Sequence, residues 1–232
     1  MSSNWHETAE KEWDSFSAKW SSSSRDMWEG GSRKKVVPLF TQHVSKGAKV
    51  ADLGCGDGYG SVLLAQKGYK VTGVDISAEM ISIAKQKAAE QEGVTFIQGD
   101  VAHLSFGDAV YDAVMAINSI EWTEFPLDAL GEIKRIVKPG GYACFGILGP
   151  TAAPRKRYRY PRLYGEKVIM NSMLPWEFEQ LALENGWRLI GDSGVSKNGA
   201  DLEKLGFMPK ELQQSVSFMW LFMLQKKGAL ET

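Results

Sequence analysis

The chain has 232 residues, 27 Lys and Arg against 28 Asp and Glu, and a composition that is 44% hydrophobic and 11% aromatic. That length buries one α/β core without metal or disulfide staples, and a net charge of −1 gives no bulk attraction to nucleic acid or to a membrane surface. The longest apolar run, Phe218 to Leu224, falls short of the ~20 residues of a membrane span, and the amino terminus lacks the basic and apolar blocks of a signal peptide.

Residues 1–32 read as a helical arm holding four of the eight tryptophans, Trp5, Trp13, Trp20 and Trp28. Trp13, Phe16 and Trp20 recur at i, i+3 and i+7, the spacing of one helical face. Gly30-Gly31-Ser32 is a candidate hinge, and a helix from about Arg33 to Val44 leads into the first strand, Val50 to Leu53. Next comes Gly54-Cys55-Gly56-Asp57-Gly58-Tyr59-Gly60, with Asp52 two residues ahead of the first glycine. Glycines at such a loop let the backbone turn at positive φ and let a ligand lie against it, and the following helix offers unpaired N–H groups. A dinucleotide fingerprint G-x-G-x-x-G would need glycine where Tyr59 stands.

The second strand, Val71 to Val74, ends in Asp75, about 20 residues past the first glycine, where a carboxylate can accept from two ribose hydroxyls. Ser77 can cap a helix carrying Met80, Ile81, Ala84 and Ala88 on one face. The third strand, Val94 to Gln98, runs into Gly99-Asp100-Val101, and the fourth, Tyr111 to Ile117, into Asn118-Ser119. Leu127, Leu130, Ile133 and Val137 mark another helix, and Lys138-Pro139-Gly140-Gly141 announces a fifth strand, Tyr142 to Ile147. Thr151 to Ser172 is a basic insert with six Lys or Arg against one acid and interleaved tyrosines. Pro175 to Asn185 reads as a helix, Trp187 to Gly191 as a strand, Leu202 to Gln214 as a helical connection and Ser217 to Leu224 as the last strand.

Over roughly residues 46 to 150 these landmarks, in this order and spacing, resemble the class I S-adenosylmethionine-dependent methyltransferases, in the small-molecule "type 11"-like subgroup that includes quinone-biosynthesis enzymes. The resemblance implies an α/β, Rossmann-like, seven-stranded and mostly parallel sheet, its last strand antiparallel and helices on both faces. Residues 1–32 would form a helical lid over a methyltransferase domain at 33–232. The implied cofactor is S-adenosyl-L-methionine, leaving S-adenosyl-L-homocysteine. Its implied contacts are the Gly54-Cys55-Gly56 loop with Asp52, Asp75 on the ribose, Ile76 and Met80 on the adenine faces, and Gly99, Asp100 and Val101 around the adenine edge. Asn118 and Ser119 would lie near the sulfonium, with Trp28 and Arg33 reaching the cofactor from the arm. Asp52 equally reads as a brace of the loop.

No metal is implied, since His6, His43 and His103 lack ligand spacing. A general base matters only if the acceptor must lose a proton; Glu121, His103, Tyr158 and Tyr160 are candidates, and the catalytic residues are left unassigned. The chain lacks the two prolines and aromatic that follow this Asn or Asp in enzymes methylating base amines, so that substrate class is disfavoured. The basic insert with Arg155, Arg157 and Arg159 reads as a solvated loop, as recognition of an anionic small acceptor, or as a nucleic-acid contact whose tyrosines stack on bases. Transfer to a small organic acceptor by a cytoplasmic, soluble monomer or homodimer is the leading expectation, with reduced Cys55 and Cys144. A tRNA or rRNA methyltransferase and a non-catalytic S-adenosylmethionine-binding protein are the alternatives.

Overall fold

The computed structural model describes residues 5–196 and 201–228; the first four residues of the expected arm lie outside them. The seven strands are β1 (Lys49–Leu53), β2 (Lys70–Asp75), β3 (Val94–Gln98), β4 (Tyr111–Ile117), β5 (Val137–Leu148), β6 (Trp187–Ser196) and β7 (Ser217–Lys226). They form one sheet in the order β3-β2-β1-β4-β5-β7-β6. The strands from β1 to β5 pair in parallel, and β7 is antiparallel to both β5 and β6, which is the expected Rossmann-like architecture. The helices are α1 (Trp5–Glu29), α2 (Val36–His43), α3 (Tyr59–Gln66), α4 (Ala78–Lys87), α5 (Pro126–Ile136), α6 (Ala153–Arg159), α7 (Pro175–Glu184) and α8 (Lys210–Val216).

Period-two alternation divides the strands between two apolar layers. Trp220, Phe222 and Leu224 of β7 join Phe145, Phe178 and Trp187 on the face covered by α5 and α7. Met219, Leu221 and Met223 turn the other way, to Val36, Phe40 and Leu64 of α2 and α3. On the first face the Phe178 ring centroid lies 4.8 Å from that of Phe145 and 5.3 Å from that of Phe222. Truncating a buried ring of this kind to Ala typically costs about 3–5 kcal/mol.

Three segments differ from the sequence expectation, each for a local reason. The fifth strand starts at Val137 rather than Tyr142, because its ladder to β4 jumps from Tyr111↔Val137 to Ala113↔Tyr142. Pro139 has no N–H to give and Gly140 sits at φ +73°, so the intervening residues bulge out of the pairing. β6 runs on past Gly191 to Ser196 because the register shift between Leu189 and Gly191 lets the strand resume. The basic insert contains α6 and a short 3₁₀ turn at Pro161–Tyr164, with Pro154 in the first turn and Lys156, Arg157 and Arg159 in the last, where the helix dipole favours cations. No helix among the described residues is long and apolar enough to cross a membrane.

Between β1 and β4 the strand order reverses direction, and in open α/β sheets a ligand crevice lies at the carboxyl ends of the strands flanking such a point. Gly54, Asp75, Asp100 and Asn118 all fall at that edge. α1 lies across it.

Candidate functional site

The glycine loop is held open by its neighbours. Gly54 has φ +71°, and a Cβ there would sit 2.4 Å from Ser119 Cβ; Gly56 has φ +56°, and a Cβ there would sit 3.0 Å from Trp20 Nε1. Any side chain at these positions would be strained and would push β4 or α1 away from the loop. Asp75 locks the loop from below, accepting from the Gly56 N–H at 2.8 Å and the Ser77 N–H at 3.0 Å. Burial pushes its carboxyl up to about 6. Asp75 lines the crevice beside Ile76, Met80, Asp100, Val101, Asn118 and Ser119. Ser119 Oγ is buried there with no partner among the described residues.

α1 straps the crevice with a polar contact at nearly every turn. Trp5 Nε1 donates to the Trp122 carbonyl at 2.8 Å, His6 Nδ1 lies 2.7 Å from Asp100 Oδ2, and Gln98 donates to Glu10 at 2.9 Å. Asp14 accepts from Ser77 Oγ at 2.5 Å and from the Glu79 N–H at 3.2 Å, adding a cap to the start of α4. Ser24 and Lys87 both bind Asp57, and Tyr59 donates to Glu29 at 2.6 Å. The expected aromatic face is formed: Trp13 makes edge contacts with Phe16, Trp20 and Trp122, at centroid distances of 5.9, 5.8 and 4.9 Å.

Arg33 is buried beneath this helix. Its Nη2 donates to Asn118 Oδ1 at 3.1 Å, its guanidinium lies 4.6 Å from the Trp20 ring centroid, and burial lowers its pKa to about 10. No carboxylate comes within ion-pair distance of it among the described residues. Asn118 is itself unusual, a non-glycine residue at φ +53°. Its amide donates to the Gly146 carbonyl while its own carbonyl accepts from Trp122 Nε1 at 2.7 Å.

Five expected contacts are not on the lining of this crevice: Arg33 lines the cavity next to it, and Asp52, Trp28, Cys55 and Gly99 lie elsewhere. Asp52 does not line the crevice; it accepts from Ser61 Oγ at 2.5 Å inside the first turn of α3, and burial raises it to about 7, so the bracing reading describes its place. Trp28 packs against Gly60, where a Cβ would fall 2.4 Å from its ring. The Cys55 thiol turns into the small cluster with Ile81, Ala84 and Phe96, and burial raises its pKa. Gly99 contributes backbone only, its N–H donating to the Asp75 carbonyl at 2.9 Å.

A second cavity of about 330 Å³ adjoins the first and shares Trp13, Trp20, Asn118 and Trp122 with it. Phe16, Tyr158, Leu148, Pro154 and Phe218 give it an apolar wall, and Lys19, Arg33 and Arg157 bring cations to it. Sequence reasoning had no signal for Phe218, read only as part of a strand, or for His6 meeting Asp100. Of Arg155, Arg157 and Arg159, Arg157 alone reaches the cavity, its guanidinium 5.6 Å from the Phe16 ring centroid. Arg155 corrects the expectation of acceptor recognition: it is fully buried, donates to the carbonyls of Leu148 and Met173, and neighbours Glu121.

The candidate bases separate in the same way. Glu121 is fully buried, accepts from the Leu148 N–H at 2.7 Å and is raised by burial. The His103 side chain is 78% exposed, and Tyr160 is exposed beside Tyr164. Tyr158 lines the second cavity with its pKa raised by burial. Among the described residues no group of three His, Cys, Asp or Glu side chains could hold a metal.

Residues 51–145 match the family model of a methyltransferase domain. Over that stretch the chain is similar to methyltransferase domains. The chain is 31% identical to the malonyl-[acyl-carrier protein] O-methyltransferase of Pectobacterium atrosepticum over 62% of its own length and 54% of the relative's. It thus spans about half the length of that relative. It is 27% identical to the ubiquinone biosynthesis O-methyltransferase of Coxiella burnetii over 81% of this chain and 89% of the other. A solved chain from the complex between the Haloferax volcanii Trm112 methyltransferase activator and a methyltransferase superposes with a TM-score of 0.71 at 21% identity, covering 94% of this chain and 98% of that one. That last likeness shows the fold.

Proposed function

We propose that the protein transfers a methyl group from S-adenosylmethionine to a small organic acceptor carrying an anionic group, held in the cavity beside Arg157. The observation that carries this reading is the pair of adjoining cavities, one at the glycine loop and one under α1 and α6, meeting at Asn118 and Trp122. The first suits the cofactor on this structure's own chemistry. Asp75 offers two acceptor oxygens to ribose hydroxyls, Ile76 and Met80 give apolar cover, Asp100 and Val101 face the base edge, and the Gly54 and Gly56 backbone admits close approach. Arg33, buried without an ion pair among the described residues and bonded to Asn118 at the junction of the cavities, would reach across it to the cofactor's carboxylate, and the unpartnered Ser119 Oγ borders the first cavity.

When bound, S-adenosylmethionine supplies a methyl group on a cationic sulfur. The chain's contribution is position: Asn118 and Trp122 fix the junction of the cavities, and α1 closes it from water. Holding two reactants in line supplies much of the rate in such a displacement. In this reading α1 is the lid and shifts to admit the cofactor. The free thiols Cys55 and Cys144 suit a reducing, cytoplasmic setting.

Calorimetry is the test. S-adenosylmethionine and S-adenosylhomocysteine bind, NADH does not displace them, and Asp75→Ala weakens binding by roughly 1.5 to 3 kcal/mol for each charge-assisted hydrogen bond lost. A melting curve of the variant separates a collapsed loop from a lost contact. Full affinity in a folded Asp75→Ala protein sinks the ribose assignment, and tight NADH binding sinks the cofactor assignment.

A further inference from the structure

The acceptor cavity contains cations and no base. Its lining brings Lys19, Arg33 and Arg157 together with aromatic rings, and it includes no carboxylate and no imidazole. Neither Lys19 nor Arg157 has a carboxylate within ion-pair distance among the described residues; both lie over the Phe16 ring, each 5.6 Å from its centroid. Glu121 stands behind the wall, fully buried, with one oxygen committed to the Leu148 N–H. Tyr158 is the remaining protic group of note; burial and the neighbouring Glu12 carboxylate, outside the cavity lining and hydrogen-bonded to the phenol, hold it in the protonated form.

A nucleophile entering this cavity must therefore arrive already ionised. A phenol with a pKa near 10 or an ammonium near 10.4 would have to shed a proton there, and no carboxylate or imidazole on the lining touches the space to take it. A carboxylate, with a pKa near 4, is ionised at neutral pH and matches the unpaired cations. Resting on the reading of the domain as a working methyltransferase, we propose that the anionic group of the acceptor is itself the nucleophile: the protein makes methyl esters of carboxylates attached to an apolar or aromatic body. The carboxylate oxygen forms the new O–C bond, the C–S bond of the sulfonium breaks with its electron pair left on sulfur, and no proton is released. The ester product is neutral, so it loses the attraction of Lys19 and Arg157 and leaves.

The experiment uses the full chain with methyl-labelled S-adenosylmethionine and a panel of aryl and medium-chain alkyl carboxylates, each paired with the matching phenol and amine. Labelled product from carboxylates alone, released as volatile methanol by mild base, without acidification of a weakly buffered indicator solution, is the expected result. In the presence of S-adenosylhomocysteine, Arg157→Gln and Lys19→Gln each weaken equilibrium binding of the converted carboxylate about tenfold or more and leave S-adenosylhomocysteine affinity within about twofold of the parent. A base-stable product, one proton released per turnover, or cofactor binding with no carboxylate converted overturns the ester assignment and leaves the cofactor reading intact. Failure of S-adenosylmethionine to bind at all overturns the reading beneath it.

Discussion

The proposed cofactor wall and the proposed acceptor wall meet at Asn118, but different kinds of constraint place them. Apart from its cover by α1 and the turn at Trp122, the proposed cofactor wall comes from residues 54–119, one short stretch in which successive strand ends deliver Gly54, Asp75, Asp100 and Asn118 in chain order. Its requirements fall on the backbone: positive φ at Gly54 and Gly56 and no Cβ against Ser119. Such requirements fix residue type at fixed spacing. The acceptor wall is assembled from α1, the turn after β4, α6 and the start of β7, elements more than a hundred residues apart. Its requirement is only that rings and cations converge, which many arrangements satisfy. A fold that keeps the first wall constant and rebuilds the second can change acceptor without changing donor.

Neighbouring arginines within the insert provide the sharpest way to break that division. Arg155 donates into the structure, to two backbone carbonyls beside buried Glu121, whereas Arg157 faces the cavity. Leaving a buried carbonyl without its charged donor typically costs about 1–3 kcal/mol, and Arg155 serves two. Arg155→Gln therefore lowers thermal stability by about that much, a drop of several degrees in melting temperature, while Arg157→Gln leaves the melt within a degree or two. Equal melts for the two variants would mean that the insert is uniform and the division false.

The arm tests the same division on a larger scale. Only Ala9, Ser17 and Ser24 of α1 are buried, and neither large apolar layer draws on residues before Trp28. A chain beginning at Met27 keeps Trp28 on Gly60 and should still melt cooperatively. It loses Trp13 and Trp20, which line both cavities, and the cover over the crevice. Turnover falls at least about a hundredfold, near 2.7 kcal/mol, measured with any accepted substrate. Full activity in the shortened chain would reduce α1 to packing and remove its role as a lid.

The same division governs what could be read before the structure was seen. The strand ends after β1 to β4 were legible because glycine and carboxylate positions there answer to backbone geometry and leave few alternatives. The stripe of Trp13, Phe16 and Trp20 was legible because helical period places it on one face. The roles of Arg155 and Arg157 were not separable, since whether a side chain two residues along a seven-residue helix points into or out of the fold depends on what packs against it. Phe218 was hidden for a similar reason: β7 is apolar almost throughout, and only pairing with β5 decides which end borders a cavity. The early start of β5 was masked by Pro139 and Gly140, whose local preference for a turn is real but is accommodated as a bulge.

Asp52 gives the smallest and most discriminating test, because it stands inside the cofactor half yet away from the crevice. Its folded-state pKa is raised by burial to about 7 from 3.8, and that of Asp75 to about 6. A carboxyl that holds its proton more tightly folded than unfolded makes the folded state bind more protons between those values, so stability falls as pH rises from about 4 to about 7 and then levels off. Asp52→Asn keeps an acceptor for Ser61 Oγ and removes the buried charge. The variant is expected to be more stable than the parent by about 1 to 3 kcal/mol at pH 8, with the gain fading toward pH 4, read from denaturant melts across that range. Calorimetry on the same variant should show nearly unchanged S-adenosylmethionine affinity, as befits a brace. If Asp52→Asn is instead less stable at pH 8, the charge of Asp52 is offsetting that of buried Arg33, whose pKa it helps to hold up. A large loss of cofactor affinity would return Asp52 to the binding surface and move the boundary between the two walls.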